Sequence, residues 1–173
     1  MPGGQRYTFP GRLDVEGDWS NAAFFLAMGA LGRPVSCAGL RMNSLQKDRC
    51  ITQLLRRFGA DVEISNDTVT VSPGPLRGME VDLGEIPDLL PVLAVVAAAA
   101  KGETVFRNAA RLRLKESDRL FSVAALLRGI GAEAEETEDG ILVRGRKKLP
   151  GGRVESFGDH RIAMAAAVAA TVC

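Results

Sequence analysis

Arg111, Arg113, Lys115, Glu116, Asp118 and Arg119 form the densest run of charge in the chain. They stand between a short apolar run, Thr104 to Phe106, and an amphipathic stretch, Leu120 to Ile130. In that stretch Leu120, Val123, Ala124 and Leu127 recur at i, i+3, i+4 and i+7. A cluster placed where a strand or loop enters a helix meets free backbone N–H groups and a positive dipole end, which suits an anion. Lys115 and Arg119, four apart, share a face if the helix reaches back that far, with Glu116 beside them. Two other places belong with this cluster. Asp88 follows Ile86-Pro87, and Asp159 is followed by the only histidine, His160, and then by Arg161. Arg161 in the first turn of a helix opposes the dipole, so its position there points to an anion that it meets. The chemistry open to this set is anion binding by Lys115, Arg119 and Arg161, with proton transfer by Asp88 and Glu116. The plainer readings are a solvated helix start for the charge run, N-caps for Asp18, Asp88 and Asp159, and a structural side chain for His160.

The elements that must hold these residues repeat along the chain. Leu54-Leu-Arg-Arg-Phe-Gly-Ala-Asp-Val-Glu matches Leu126-Leu-Arg-Gly-Ile-Gly-Ala-Glu-Ala-Glu, and the same offset carries Asp67, Val69 and Val71 onto Asp139, Ile141 and Val143. Gly17-Asp18 matches Pro87-Asp88 and then Gly158-Asp159, each time ahead of an Ala-rich apolar run. Three matches in register argue for a true repeat. Each full copy reads as a short strand (Arg12 to Glu16; Met79 to Leu83) and a helix begun at an Asp (about Ser20 to Leu31; about Leu89 to Ala100). Gly32 and Gly102 stop these helices. A strand (Val35 to Ala38; Thr104 to Asn108), a polar segment and a second amphipathic helix follow, the helix ending at Gly59 or Gly131. Two strands around a turn close the unit, at Asn66-Asp67 and at Asp139-Gly140. The expected fold is therefore α/β (α+β), built from β-α-β-α-β-β units. Two units are complete, at about 13–72 and 79–144, and a third at 153–173 is truncated, so the chain looks like a fragment.

The repeat also weighs the charge cluster. Lys115, Glu116, Asp118 and Arg119 fall on Asn43, Ser44, Gln46 and Lys47 of the first copy. The scaffold thus accepts neutral residues at three of the four places, and the extra charge points to a ligand.

Composition excludes several classes. Hydrophobic residues make up 46% and charged residues 25% of 173, with a net charge of +1, which is an ordinary globular balance and no argument for nucleic acid. Aromatic content of 5% leaves no base-stacking platform. The basic loop Arg144 to Arg153 is short, Gly/Pro-rich and free of aromatics, and reads as a solvated connector. The longest apolar run, Leu89 to Ala100, contains Pro91 and is too short to span a bilayer. The N-terminus lacks a signal-peptide pattern. Cys37, Cys50 and Cys173 have no metal spacing and read as reduced thiols of a cytoplasmic protein. Neither a phosphate-binding Gly-rich loop nor a dinucleotide or nucleophile-elbow motif is present.

With these residues in view, the chain resembles the 5-enolpyruvylshikimate-3-phosphate synthase family. The matching stretches are Gly4-Gln-Arg-Tyr, Glu16-Gly-Asp with Ala22-Ala-Phe-Phe-Leu-Ala, Asn43-Ser-Leu-Gln-Lys-Asp48, Ile86-Pro-Asp88, Leu114-Lys-Glu-Ser-Asp-Arg119 and Asp159-His-Arg-Ile-Ala-Met164. The resemblance implies a two-domain, monomeric enzyme with its site in the cleft between the domains. Residues 1–12 would be a remnant of the other domain and hinge, and 13–173 most of one domain. The implied reaction transfers the enolpyruvyl group of phosphoenolpyruvate to the 5-hydroxyl of shikimate 3-phosphate, with no metal or organic cofactor and no nucleic-acid or membrane partner. By the same resemblance, Asp88 takes the hydroxyl proton and Glu116 exchanges a proton with the methylene carbon. Lys115 contacts shikimate 3-phosphate and the reacting centre. Arg119 and Arg161 hold phosphoenolpyruvate, and His160 has a lesser part. The facing domain's motifs are absent from the sequence, so the 173-residue chain alone is expected to be inactive. The alternatives are a non-catalytic anion-binding or interaction module and a related UDP-sugar enolpyruvyl transferase.

Overall fold

A computed structural model describes residues 3–173. Helix α1 (Trp19–Leu31) leads to β1 (Val35–Cys37), a 3-10 turn (Lys47–Cys50) running into α2 (Ile51–Phe58), and the hairpin β2 (Asp61–Ser65) and β3 (Thr68–Ser72). The second run is β4 (Glu80–Asp82), a 3-10 turn (Pro87–Leu89), α3 (Leu90–Ala99), β5 (Glu103–Arg107), a 3-10 segment (Ala110–Leu114), α4 (Arg119–Gly129), β6 (Glu133–Glu136) and β7 (Ile141–Arg144). Helix α5 (His160–Ala169) follows.

Two separate sheets result, ordered β1-β3-β2 and β4-β5-β7-β6. The three-strand antiparallel core is the same in both, and the second sheet adds β4 parallel to β5. Strand β3 shows why it lies centrally. Val69 and Val71 are fully buried, while Thr68, Thr70 and Ser72 alternate with them on the other face. Burying each such valine contributes about 1.5–3 kcal/mol.

The strand expected at Arg12 to Glu16 is absent. Leu13 and Val15 are 71% and 87% exposed, and no described residue pairs with β1 on the edge that β4 occupies on β5. Alternating pattern alone does not make a strand without a partner to satisfy its backbone.

The helices occupy the interior. Helix α3 is buried along nearly its whole length, from Leu90 to Ala98, and packs against α1, α4, α5, β5 and β7. A helix apolar on every side belongs at the centre of a core, and α3 takes that place. Helix α2 instead buries one stripe, Ile51, Leu54, Leu55 and Phe58, and ends at Gly59, whose φ of 110° is open to glycine at little cost. Gly29 allows α1 to lie directly on β3, since a Cβ there would stand 2.5 Å from the Val71 carbonyl oxygen. No helix among the described residues is long and apolar enough to cross a membrane.

Candidate active site

The N-termini of α4 and α5 and the 3-10 turn ahead of α3 bring the charged positions together. Asp118 caps α4, its carboxylate accepting from Phe121 N at 3.1 Å, so the helix starts at Arg119. Lys115 therefore lies outside the helix, in extended backbone after the 3-10 segment, and the shared helix face expected for Lys115 and Arg119 does not form. Lys115 still reaches the cluster, with Nζ 3.2 Å from Asp88 Oδ1.

Asp88 is not an N-cap. It sits inside the turn Pro87–Leu89, and Leu89 precedes α3 without a side-chain cap. Its carboxylate faces three cations instead: Arg119 Nη1 donates to Oδ1 at 2.8 Å, Lys115 is at 3.2 Å, and Arg161 Nη2 lies 3.6 Å from Oδ2. Burial opposes the charge, but Arg161, Lys115 and Arg119 outweigh it and hold the carboxyl below its ordinary value. Asp18 and Asp159 do cap. Asp18 accepts from Ser20 N and Asn21 N, and Asp159 accepts from Arg161 N at 2.9 Å.

Arg119 is 1% exposed and is the hub of the site. Its Nε donates to Asp159 Oδ2 at 2.7 Å, Nη1 to Asp88, and Nη2 to Glu116 Oε2 at 2.6 Å and to Asp159 Oδ1 at 3.4 Å. A guanidinium has five N–H groups, so one on Nη1 is left over. Burial works against this charge, yet Asp159, Glu116 and Asp88 hold its proton more firmly than usual. A charge so placed is tolerable only because it is paired on each side. Asp159 is likewise fully buried, and it also accepts from Ser117 Oγ at 3.1 Å. Burial would raise its carboxyl, but Arg119, the Arg161 backbone and Ser117 bring it below the ordinary value.

Glu116 is half exposed, so one oxygen is fixed by Arg119 while the group stays open to solvent. His160 begins α5 and is 60% exposed, with Nδ1 3.9 Å from Asp159 Oδ1, so its position is loosely held. Arg161 is 12% exposed, and its Nη1 is buried without a hydrogen-bond partner among the described residues. The anion-facing placement expected from the dipole is met first by a carboxylate of the chain itself, Asp88.

In the first repeat the corresponding positions do something else. Ser44 Oγ donates to Glu16, and the Gln46 amide ties Gly17 O to Trp19 N. These neutral side chains fasten the polar segment to the start of α1.

Two residues given no part by the sequence also face the cluster. Asp48 is half-buried near Asp88, Arg161 and Ser20; burial first, and then Asp88, pushes its carboxyl up. Ser20 Oγ accepts from Arg161 Nη2 at 3.1 Å. Asp48 lies in the stretch Asn43 to Asp48 that carries the resemblance, which was its only signal. Ser20 follows a capping Asp and gave none. At the start of the basic loop, Arg144 pairs with Glu103 and Glu135, and Arg146 with Glu133.

The arrangement gathers the cations Lys115, Arg119 and Arg161 and the carboxylates Asp48, Asp88, Glu116 and Asp159, with Arg161 Nη1 unshared among the described residues. It can hold a small polyanion and move protons at two separate carboxylates. The sequence pattern of EPSP synthase (3-phosphoshikimate 1-carboxyvinyltransferase) matches residues 1–173. Over 160 residues the chain is 46% identical to 3-phosphoshikimate 1-carboxyvinyltransferase of Clostridium kluyveri, covering 92% of this chain and 38% of that protein. The Clostridium perfringens counterpart is 43% identical over 174 residues, covering 100% of this chain and 41% of its own length. EPSP synthase from Acinetobacter baumannii superposes with a TM-score of 0.83 at 31% identity, over 91% of this chain and 40% of that one. The enolpyruvyl transferase NikO from Streptomyces tendae superposes with a TM-score of 0.65 at 24% identity, over 91% of this chain and 37% of that one, which is a likeness of fold. The chain spans about two fifths of the length of these relatives. It belongs to the EPSP synthase (3-phosphoshikimate 1-carboxyvinyltransferase) family.

Proposed function

We propose that these residues form one wall of a site that transfers the enolpyruvyl group of phosphoenolpyruvate to the 5-hydroxyl of shikimate 3-phosphate, releasing phosphate. The observation that carries this reading is the Asp88 carboxylate, met by Lys115, Arg119 and Arg161 at 3.2, 2.8 and 3.6 Å. An acid among three cations stays ionised, and it becomes a useful base once an incoming anion shares those cations.

In this mechanism the 5-hydroxyl oxygen attacks C2 of phosphoenolpyruvate while Asp88 takes its proton and Glu116 delivers one to the methylene carbon. The tetrahedral adduct then expels phosphate, which carries away the proton that Asp88 took, and a methyl proton returns to Glu116 to restore the enol ether. Half-exposed Glu116 is suited to exchanging that proton. Lys115 contacts shikimate 3-phosphate and the reacting centre. Arg161, through its unshared Nη1, and Arg119, through its remaining N–H, hold the carboxylate and phosphate. Arg119 in addition fixes Asp88 and Glu116 at the positions their proton transfers require. Both substrates and the adduct are polyanions, so prearranged cations stabilise the charge throughout. His160 lies at the rim with a minor part.

We place residues 13–173 in most of one domain, with 1–12 from the hinge and the other domain, in a cytoplasmic, monomeric enzyme whose second wall comes from that other domain. A phosphate-release assay on the purified 173-residue chain with both substrates tests the reading. No turnover is expected; robust turnover by this chain alone would contradict a site shared with a second domain.

A further inference from the structure

Arg161 reaches from α5 back to α1. Its Nη2 donates to Ser20 Oγ at 3.1 Å, a contact between residues 141 apart in sequence, and the Ser20 hydroxyl donates to Asp18 Oδ1 at 3.1 Å. The next acceptor for the same Nη2 is Asp88 Oδ2 at 3.6 Å. Nη1 is buried and has no partner among the described residues. The acidic groups near this guanidinium are Asp88 ahead of α3 and Asp48 on the 3-10 turn ahead of α2, while Asp18 at the start of α1 is linked to it through Ser20.

A guanidinium is a rigid planar fork, so whatever fixes Nη2 fixes the direction of Nη1. Two acceptors lie near Nη2 here, and the direction of the fork decides how closely the second is met. The serine hydroxyl, oriented by Asp18, holds the nearer place and keeps the fork turned away from full pairing with Asp88. If the hydroxyl is lost, Nη2 closes on Asp88, the stronger acceptor. Arg161 and Asp88 then neutralise each other, and the free donor at Nη1 turns away.

We propose that Ser20 is a positioning residue for this site, holding Arg161 so that Nη1 stays available to a substrate oxygen and Asp88 stays available to a proton. The first part of the chain thereby contributes Ser20, beside Asp48, to a site whose cations Lys115, Arg119 and Arg161 lie in the later part. Asp18 acquires a second task besides capping α1, since it orients the Ser20 hydroxyl. The inference rests on the reading of Arg161 as an anion-holding group.

Ser20→Ala removes the hydroxyl and leaves the backbone cap intact, because Ser20 N and Asn21 N donate to Asp18 without it. Ser20→Thr keeps the hydroxyl. Nitrogen-15 NMR of the Arg161 guanidinium in the 173-residue chain reads its rotation about the Nε–Cζ bond. Wild type and Ser20→Thr are expected to give the same separate Nη1 and Nη2 signals, and Ser20→Ala to keep them separate, rotating no faster, with Nη2 shifted by its closer pairing with the Asp88 carboxylate. Phosphoenolpyruvate added as the probe is expected to shift Nη1, with about tenfold more needed for Ser20→Ala than for the other two. Merged signals in wild type, or unchanged signals in Ser20→Ala, would overturn the role of Ser20. An Nη2 signal shifted in Ser20→Ala, with a wild-type Nη1 that saturating phosphoenolpyruvate leaves unmoved, would overturn the substrate reading and retain the hold of Ser20 on Arg161.

Discussion

Arg119 and Asp159 meet in the protein interior, Nε to Oδ2 at 2.7 Å, with side chains 1% and 0% exposed. This pair joins the first turn of α4 to the N-cap of α5, so one contact both ties the two helix starts together and fixes the guanidinium that holds Asp88 and Glu116. Structure and chemistry share the same atoms there, which makes their separation by mutation instructive.

Arg119→Ala leaves Asp159 buried without its cation and releases Asp88 and Glu116. Removing one partner of a buried pair costs about 3–5 kcal/mol, and a loss of that size is expected in urea unfolding of the 173-residue chain. Arg119→Lys recovers little, since an ammonium cannot meet three carboxylates in the plane of the fork. A loss below about 1 kcal/mol would mean that the pairing behaves like a surface bridge.

The acid limb of stability follows from Asp88 and Asp159, whose carboxyls both lie below their ordinary value in the fold. Such groups contribute fully above the unfolded-state value, near about 3.9, and lose their contribution as pH falls through the lower folded values. Asp159→Asn is therefore expected to flatten the fall in thermal midpoint below about pH 4. An unchanged acid limb would contradict the assigned charge state.

Asp48 has the opposite sign. Burial first and Asp88 next raise its carboxyl, so its ionised form is disfavoured in the fold and its stability cost develops as pH rises past the unfolded value. Asp48→Asn is expected to raise the midpoint at pH 7, by up to about 4 °C, and the gain should vanish below about pH 3.9. A lower midpoint at pH 7 would show that the ionised group is needed to hold Arg161.

The thiols should separate by reactivity. Burial, followed by the charge of Asp48, pushes Cys50 up to about 11, whereas Cys173 is exposed. The thiolate is the reactive form, so iodoacetamide at pH 8 is expected to modify Cys173 at least tenfold faster than Cys50, as read by peptide mass spectrometry. Faster modification of Cys50 would place that side chain in a more open setting.

Much of this architecture was legible in the sequence because its signals are local. The period of apolar residues along α2 and α4, the alternation in β3 and the Asp before each Ala-rich run report elements directly. The failures have tertiary causes. Arg12 to Glu16 alternates like a strand but finds no neighbour. Asp88 shares its place in the repeat with two true caps, yet Pro87 opens a 3-10 turn and three cations claim the carboxylate. Lys115 and Arg119 share a helix face only if the helix reaches back to Lys115, and the cap at Asp118 starts it too late for that. Asp48 and Ser20 gave almost no sign, because only folding brings α1 and the α2 entrance against a guanidinium from α5.

Grafting this chain in place of the matching stretch of a full-length curated relative, and following phosphate release in the graft and in its Asp88→Asn form, tests the central claim most directly. The graft is expected to release phosphate only with phosphoenolpyruvate and shikimate 3-phosphate together, and Asp88→Asn to slow it by about 10²-fold or more. Undiminished turnover with asparagine at position 88 would contradict Asp88 as the proton acceptor at the centre of this site.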